Sequence, residues 1–223
     1  MSCYFAFRAS DALRDSSLAL LDNFERRDPA SQSALFVKVA QLFADEIVDV
    51  LILNIVSGAE SGHSGASVLE QFAGVIKSTV NTLIKQVLGK MNNDELRPLS
   101  SYMRERLLIL TTAGVTKEYV AFPMPADFHE RFRAVLHQGA RGEQNQKELL
   151  ACMEIFTEMA HQAFYDDSMK PIKLGFIGRK VVDIGGAAMR KGSQAATRRL
   201  VPAMDGAELK QFSEYFLTML ITV

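Results

Sequence analysis

A chain of 223 residues with a formal net charge of −1 and 48% hydrophobic residues has an ordinary globular composition and enough length for one substantial core. Its 25 Lys and Arg against 26 Asp and Glu exclude a global field that would draw it to nucleic acid or an anionic bilayer, so any such attraction must be local. Two cysteines, Cys3 and Cys152, exclude a disulfide framework and fit reduced thiols in a cytoplasmic protein.

Residues 1–8 carry no basic stretch followed by a long apolar one, so no secretory signal is expected. Ser10 and Asp11 predict a helix cap, with Leu13, Leu20, Leu21 and Phe24 on the inner face. Asp28-Pro29 predicts the start of a second helix that runs to Val56. On that helix Lys38, Gln41, Asp45 and Asp49 share one side, and Phe36, Val39, Phe43, Ile47, Val50 and Leu51 the other. Its charges rule out a membrane span, which needs about 20 nearly uncharged residues. Residues 52–56 are apolar around most of the helix, as in an interface.

Residues 57–65 read as a small-residue loop, and Ser67 with Glu70 as a capping box for a helix that carries Leu69, Phe72, Ile76, Val80, Leu83 and Val87 and stops at Gly89. A further helix is expected over 98–113, with Leu99, Met103, Leu107 and Leu110 inward and Gly114 as its stop. Residues 115–125 lack helical periodicity and end in Pro123-Met124-Pro125, which predicts a hinge between halves 1–114 and 126–223, with at most a lone strand over 115–122.

Asp127 and Glu130 predict the start of a helix bearing Phe128, Phe132, Val135 and Leu136. The clearest helix follows over 147–166, with Leu149, Met153, Phe156, Ala160 and Phe164 in one stripe. Asp205 and Glu208 cap a last helix with Leu209, Phe212, Phe216 and Leu220, and the apolar residues 217–223 must be covered by the core or by a second subunit. The expected fold is therefore all-α, a single domain over 1–223 with roughly seven helices.

Three patterns invite a chemical reading. Glu158 and His161 have the Glu-x-x-His spacing of di-metal bundles, and Glu154 extends it. On the wheel this trio lies 120–180° from Leu149, about 100° per residue, so the expectation is a solvated face. A metal enzyme using Glu154, Glu158 and His161, with Asp45 and Asp49 from the other long helix, is the catalytic alternative. Gly62-His63-Ser64-Gly65-Ala66 has the outline of a nucleophile elbow but no parallel sheet to carry it.

The third pattern is a basic, glycine-containing tract over 170–199. Lys170, Lys173, Arg179, Lys180, Arg190, Lys191, Arg198 and Arg199 face Asp183 alone, a charge of +7 against −8 for the remainder. Glycines among cations suit an anion cradle, although no phosphate-loop motif is present. Gly175-Phe176-Ile177-Gly178 has only the outline of a nucleic-acid clamp. These observations favour a non-catalytic binding or regulatory protein with no cofactor. It would be homodimeric through residues 52–56 and 217–223, and its basic tract would contact an acidic protein, a phosphate-bearing ligand or nucleic acid.

Overall fold

The computed structural model of the chain describes residues 1–54, 64–112 and 114–223. It is mostly helical, as expected, but an antiparallel four-stranded sheet corrects the all-α reading. The strands are β1 (Cys3–Arg8), β2 (Leu107–Thr112), β3 (Val115–Met124) and β4 (Leu220–Thr222), in the order β2-β3-β1-β4.

Strand β1 escapes a periodicity search because Phe5, Ala6 and Phe7 are all buried, so inner and outer positions do not alternate in polarity. Phe5 pairs with Phe122 on β3 and Leu220 on β4. The segment expected to be a hinge is thus the sheet's longest strand, bonded on both sides. The helix expected over 98–113 instead stops at Arg106, shortly before the β-branched residues Ile109, Thr111 and Thr112, and Gly114 at φ 78° turns β2 into β3.

Eight long helices accompany this sheet among the described residues: α1 (Asp11–Glu25), α2 (Ser33–Val48), α3 (Ser64–Leu88), α4 (Asn93–Arg106), α5 (Ala126–Ala140), α6 (Gln146–His161), α7 (Phe176–Leu200) and α8 (Gly206–Leu217). Ser10 caps α1 through Leu13 N at 3.1 Å, and Asp205 with Glu208 closes a capping box on α8, both as expected. Asp28-Pro29 lies in a turn ahead of α2, where the Asp28 carboxylate accepts from Ala30 N.

The core is a chain of rings that ties sheet to helices. Phe156 on α6 lies 4.8 Å from Phe5, 5.9 Å from Phe122, 5.6 Å from Phe132 and 5.5 Å from Phe216 between ring centroids. Such contacts add to plain area burial, which is the dominant stabilising term. Helices α5 and α8 approach closely because Gly139 has no side chain, since a methyl there would overlap Ser213 Oγ.

Residues 217–223, expected to need a cover, are covered in part within the chain, with Val223 still exposed at the sheet edge. β4 pairs with β1, Met219 is buried, and Ser2 and Val223 exchange backbone hydrogen bonds at 2.8 and 2.9 Å. Of the other apolar element, Ile52 lines a cavity, and residues 55 and 56 lie outside the described residues. No helix among the described residues is long and apolar enough to cross a membrane.

Candidate functional site

Helices α6 and α7 lie against one another with their charges in antiparallel register. Glu154 Oε1 accepts from Arg198 Nε at 2.6 Å, the Thr157 and Thr197 hydroxyls meet at 3.4 Å, and Gln194 donates to Glu158 at 3.4 Å. His161 Nε2 lies 3.0 Å from Gly186 O. The flank assigned to solvent by the wheel therefore faces the basic helix. A helix flanked by two layers buries more than one stripe, and the second holds matched polar partners.

Arg190 gathers most of this seam. Its Nη2 donates to Asp166 Oδ2 at 2.6 Å and to His161 Nδ1 at 3.2 Å, and its Nε sits 3.3 Å from Glu158 Oε1 without hydrogen-bond alignment. The His161 side chain is 8% exposed and the Arg190 side chain 39%, so the imidazole is covered while the guanidinium stays partly in water. Glu154 pairs with Arg198 while Glu158 and His161 share Arg190, and no three of His, Cys, Asp and Glu converge on a metal-sized point among the described residues.

The basic tract divides in the same way. Lys170 pairs with Asp167 at 2.6 Å, Arg190 with Asp166 and Glu158, and Arg198 with Glu154. Lys173, Arg179, Lys180, Lys191 and Arg199 are exposed with no ion-pair partner among the described residues. Gly175 opens α7, so Gly175-Phe176-Ile177-Gly178 is the start of a helix. Gly186 lets the Tyr165 ring lie against the helix backbone, because a methyl there would overlap the ring, and Gly185 lies beside its hydroxyl.

Tyr165 belongs to a wide turn that continues α6. Over Gln162–Asp166 the backbone closes an i to i+5 hydrogen bond, from Asp167 N to Gln162 O, and over Asp49–Leu53 a second such turn continues α2, from Asn54 N to Asp49 O. Single π turns are rare and concentrate at functional sites. The first is anchored from α4: Tyr102 Oη donates to Ala163 O at 2.8 Å, and Arg106 reaches both Ala163 O at 3.3 Å and Asp167 at 3.0 Å. Burial, with the Asp166 and Asp183 charges, pushes the Tyr165 phenol up to about 12. It stays protonated and donates to Val182 O at 2.6 Å.

Between these turns lies a cavity of about 240 Å³, walled by α2 and its wide turn (Leu51, Ile52), α3 (Ile76, Val80), α6 (Phe156, Ala160), the turn residues Phe164 and Tyr165, α7 (Met189, Ala196) and α8 (Phe212, Phe216). Among the described residues its polar lining is Thr157, His161, Tyr165, Ser193 and Thr197, all from the α6 and α7 side. A second cavity of about 120 Å³, lined by Leu83, Ile84, Leu99, Met103 and Ile172 among others, lies across Phe164 and Tyr165, which wall both. A concave apolar site with a few convergent polar groups is the form that small-molecule pockets take.

The remaining sequence candidates fall into structural roles. Asp45 accepts from Asn81 at 3.0 Å and Asp49 pairs with Lys77 at 2.6 Å, so both join α2 to α3. Cys3 and Cys152 are free thiols, and burial pushes the Cys152 thiol up despite the nearby Arg131. Gly62 and His63 of the elbow-like motif, and Glu60, lie outside the described residues.

No family model, curated protein or solved structure matches this chain.

Proposed function

We propose that the chain is a non-catalytic binding protein that encloses an apolar small molecule between α2, α3, α6, α7 and α8. The observation that carries this reading is the cavity of about 240 Å³, with no Lys, Arg, Asp or Glu in its wall among the described residues. Native interiors pack about as densely as organic crystals, with few voids larger than a water molecule. The cavity is partly open to solvent, so a ligand gains by covering its apolar wall, about 25 cal/mol per Å² of apolar surface removed from water.

The test is titration with the neutral fluorophore indole, small enough for the cavity, whose emission shifts to the blue in apolar surroundings and is read against a chain with no tryptophan. Saturable one-to-one binding is expected. Ala196→Leu and Ala160→Leu, which grow side chains into the void, are expected to weaken it at least tenfold and to raise unfolding stability by about 0.5–2 kcal/mol. Unchanged indole affinity in both stable variants would place the indole elsewhere and sink the proposal.

A second reading keeps the basic tract as a contact for an acidic or phosphate-bearing partner. It is favoured by Lys173, Arg179, Lys180, Lys191 and Arg199, exposed and with no ion-pair partner among the described residues. Its signature is binding that fades as salt screens the contact.

A further inference from the structure

The wall of the cavity restricts the polar end of its ligand, given that the cavity is a binding site as proposed above. Three cations next in sequence to wall residues are paired. Arg190 is taken by Asp166 and Glu158, Arg198 by Glu154, and Lys77 by Asp49. A carboxylate entering this space would find no cation in its wall among the described residues, and burying an unpaired charge costs several kcal/mol.

Most of the neutral polar groups are committed as well. His161 Nε2 faces the Gly186 carbonyl, so that nitrogen carries the proton and donates, while Nδ1 receives Arg190. The Tyr165 hydroxyl donates to Val182 O, and the Ser193 hydroxyl to Arg190 O. Thr157 and Thr197 differ. Their hydroxyls bond only one another, at 3.4 Å, among the described residues, and neither makes the bond to its own helix backbone that Thr82 makes at 2.8 Å. Two hydroxyls bonded to each other leave one hydrogen and several lone pairs for a third partner.

Size sets the rest of the molecule. A cavity of about 150 Å³ lined by aliphatic and aromatic side chains holds benzene. At about 240 Å³ the present one is roughly half as large again and suits about eight to ten carbons. We propose that the ligand is an uncharged amphiphile of that size, with a single hydroxyl or carbonyl oxygen seated between Thr157 and Thr197, and that the cavity rejects carboxylates of equal length.

The test displaces indole with 1-octanol, 1-chlorooctane or octanoate at pH 7.5, on the wild type and on Thr157→Val, Thr197→Val and the double variant. Valine keeps the shape of threonine and removes only the hydroxyl. In the double variant 1-octanol is expected to weaken about five- to tenfold, the size of one net hydrogen bond, while 1-chlorooctane stays unchanged. Octanoate is expected to compete at least about a hundredfold less well than 1-octanol. Octanoate binding as tightly as 1-octanol, or octanol affinity unmoved by both valines, would overturn the assignment while leaving an apolar site in place. Failure of both neutral competitors would remove the cavity reading together with it.

Discussion

Phe156→Ala is expected to destabilise the chain by about 3–5 kcal/mol, the range for a buried aromatic cut back to alanine. Phe156 is 2% exposed and its ring meets Phe5 and Phe122 of the sheet, Phe132 of α5 and Phe216 of α8, so its loss uncouples three layers at once. It also walls the cavity, which the truncation enlarges. The checks are urea unfolding followed by far-ultraviolet circular dichroism, and the same unfolding with a saturating apolar ligand. A ligand that binds only the folded state raises stability by mass action, about 2.7 kcal/mol at a hundred times its Kd. The variant is therefore expected to recover part of its loss in 1-octanol. A loss below about 1 kcal/mol would mean that the ring cluster is not the centre of the core.

Arg106→Met is expected to cost about 3 kcal/mol, at the low end for breaking a buried pair. Arg106 has a side chain 9% exposed. It spans Ala163 O and the Asp167 carboxylate, and its guanidinium lies 5.0 Å from the centre of the Tyr102 ring. Without it a carbonyl of the wide turn loses a donor, while Asp167 keeps Lys170 and Gln162.

The pH dependence distinguishes the ion pair from mere packing. Burial opposes the Asp167 charge, but hydrogen bonds from Lys170 and Gln162 and the charges of Lys170 and Arg106 outweigh it and hold its carboxyl below the usual range. A depressed carboxyl contributes stability that is present above its unfolded value, about 3.9, and lost as pH falls through the lower folded value. The gap between wild type and Arg106→Met is therefore expected to stay constant from pH 8 to about 5 and to narrow below about 4. A gap independent of pH down to 2.5 would assign the role of Arg106 to packing alone.

Helices whose apolar residues form one clean stripe were legible from spacing. The buried set Leu149, Met153, Phe156 and Ala160 on α6 and the box of Asp205 and Glu208 on α8 are where the pattern puts them. The sheet was hidden for two physical reasons. Phe5, Ala6 and Phe7 are buried together, which erases the alternation that marks a strand. Leu99, Met103, Leu107 and Leu110 happen to keep helical spacing across the junction where α4 becomes β2. The usable signal was Ile109, Thr111, Thr112, Val115 and Thr116 grouped around Gly114, a hairpin pattern that outweighs four leucine-like positions.

The candidate site was less legible, because a void belongs to no single stretch of chain. Ile52, Val80, Ala160 and Phe216 could each be read as apolar and inward, yet only their placement on separate helices shows the space between them. The wide turns at Asp49–Leu53 and Gln162–Asp166 have no residue signature, since an i to i+5 bond needs no special side chain. Pairing of Glu154 with Arg198 and of Glu158 with Arg190 depends on α6 and α7 running side by side, which composition alone does not reveal. Gly186 was read for anions, but what it admits is the ring of Tyr165.

The most direct measurement is a crystal of the protein soaked in 1-bromooctane, with bromine located by its anomalous scattering. A single strong peak is expected inside the space bounded by Leu51, Val80, Ala160 and Ala196. A protein saturated with the bromoalkane in solution whose crystals show bromine only on the outer surface, with that space filled by rearranged side chains, would contradict the account.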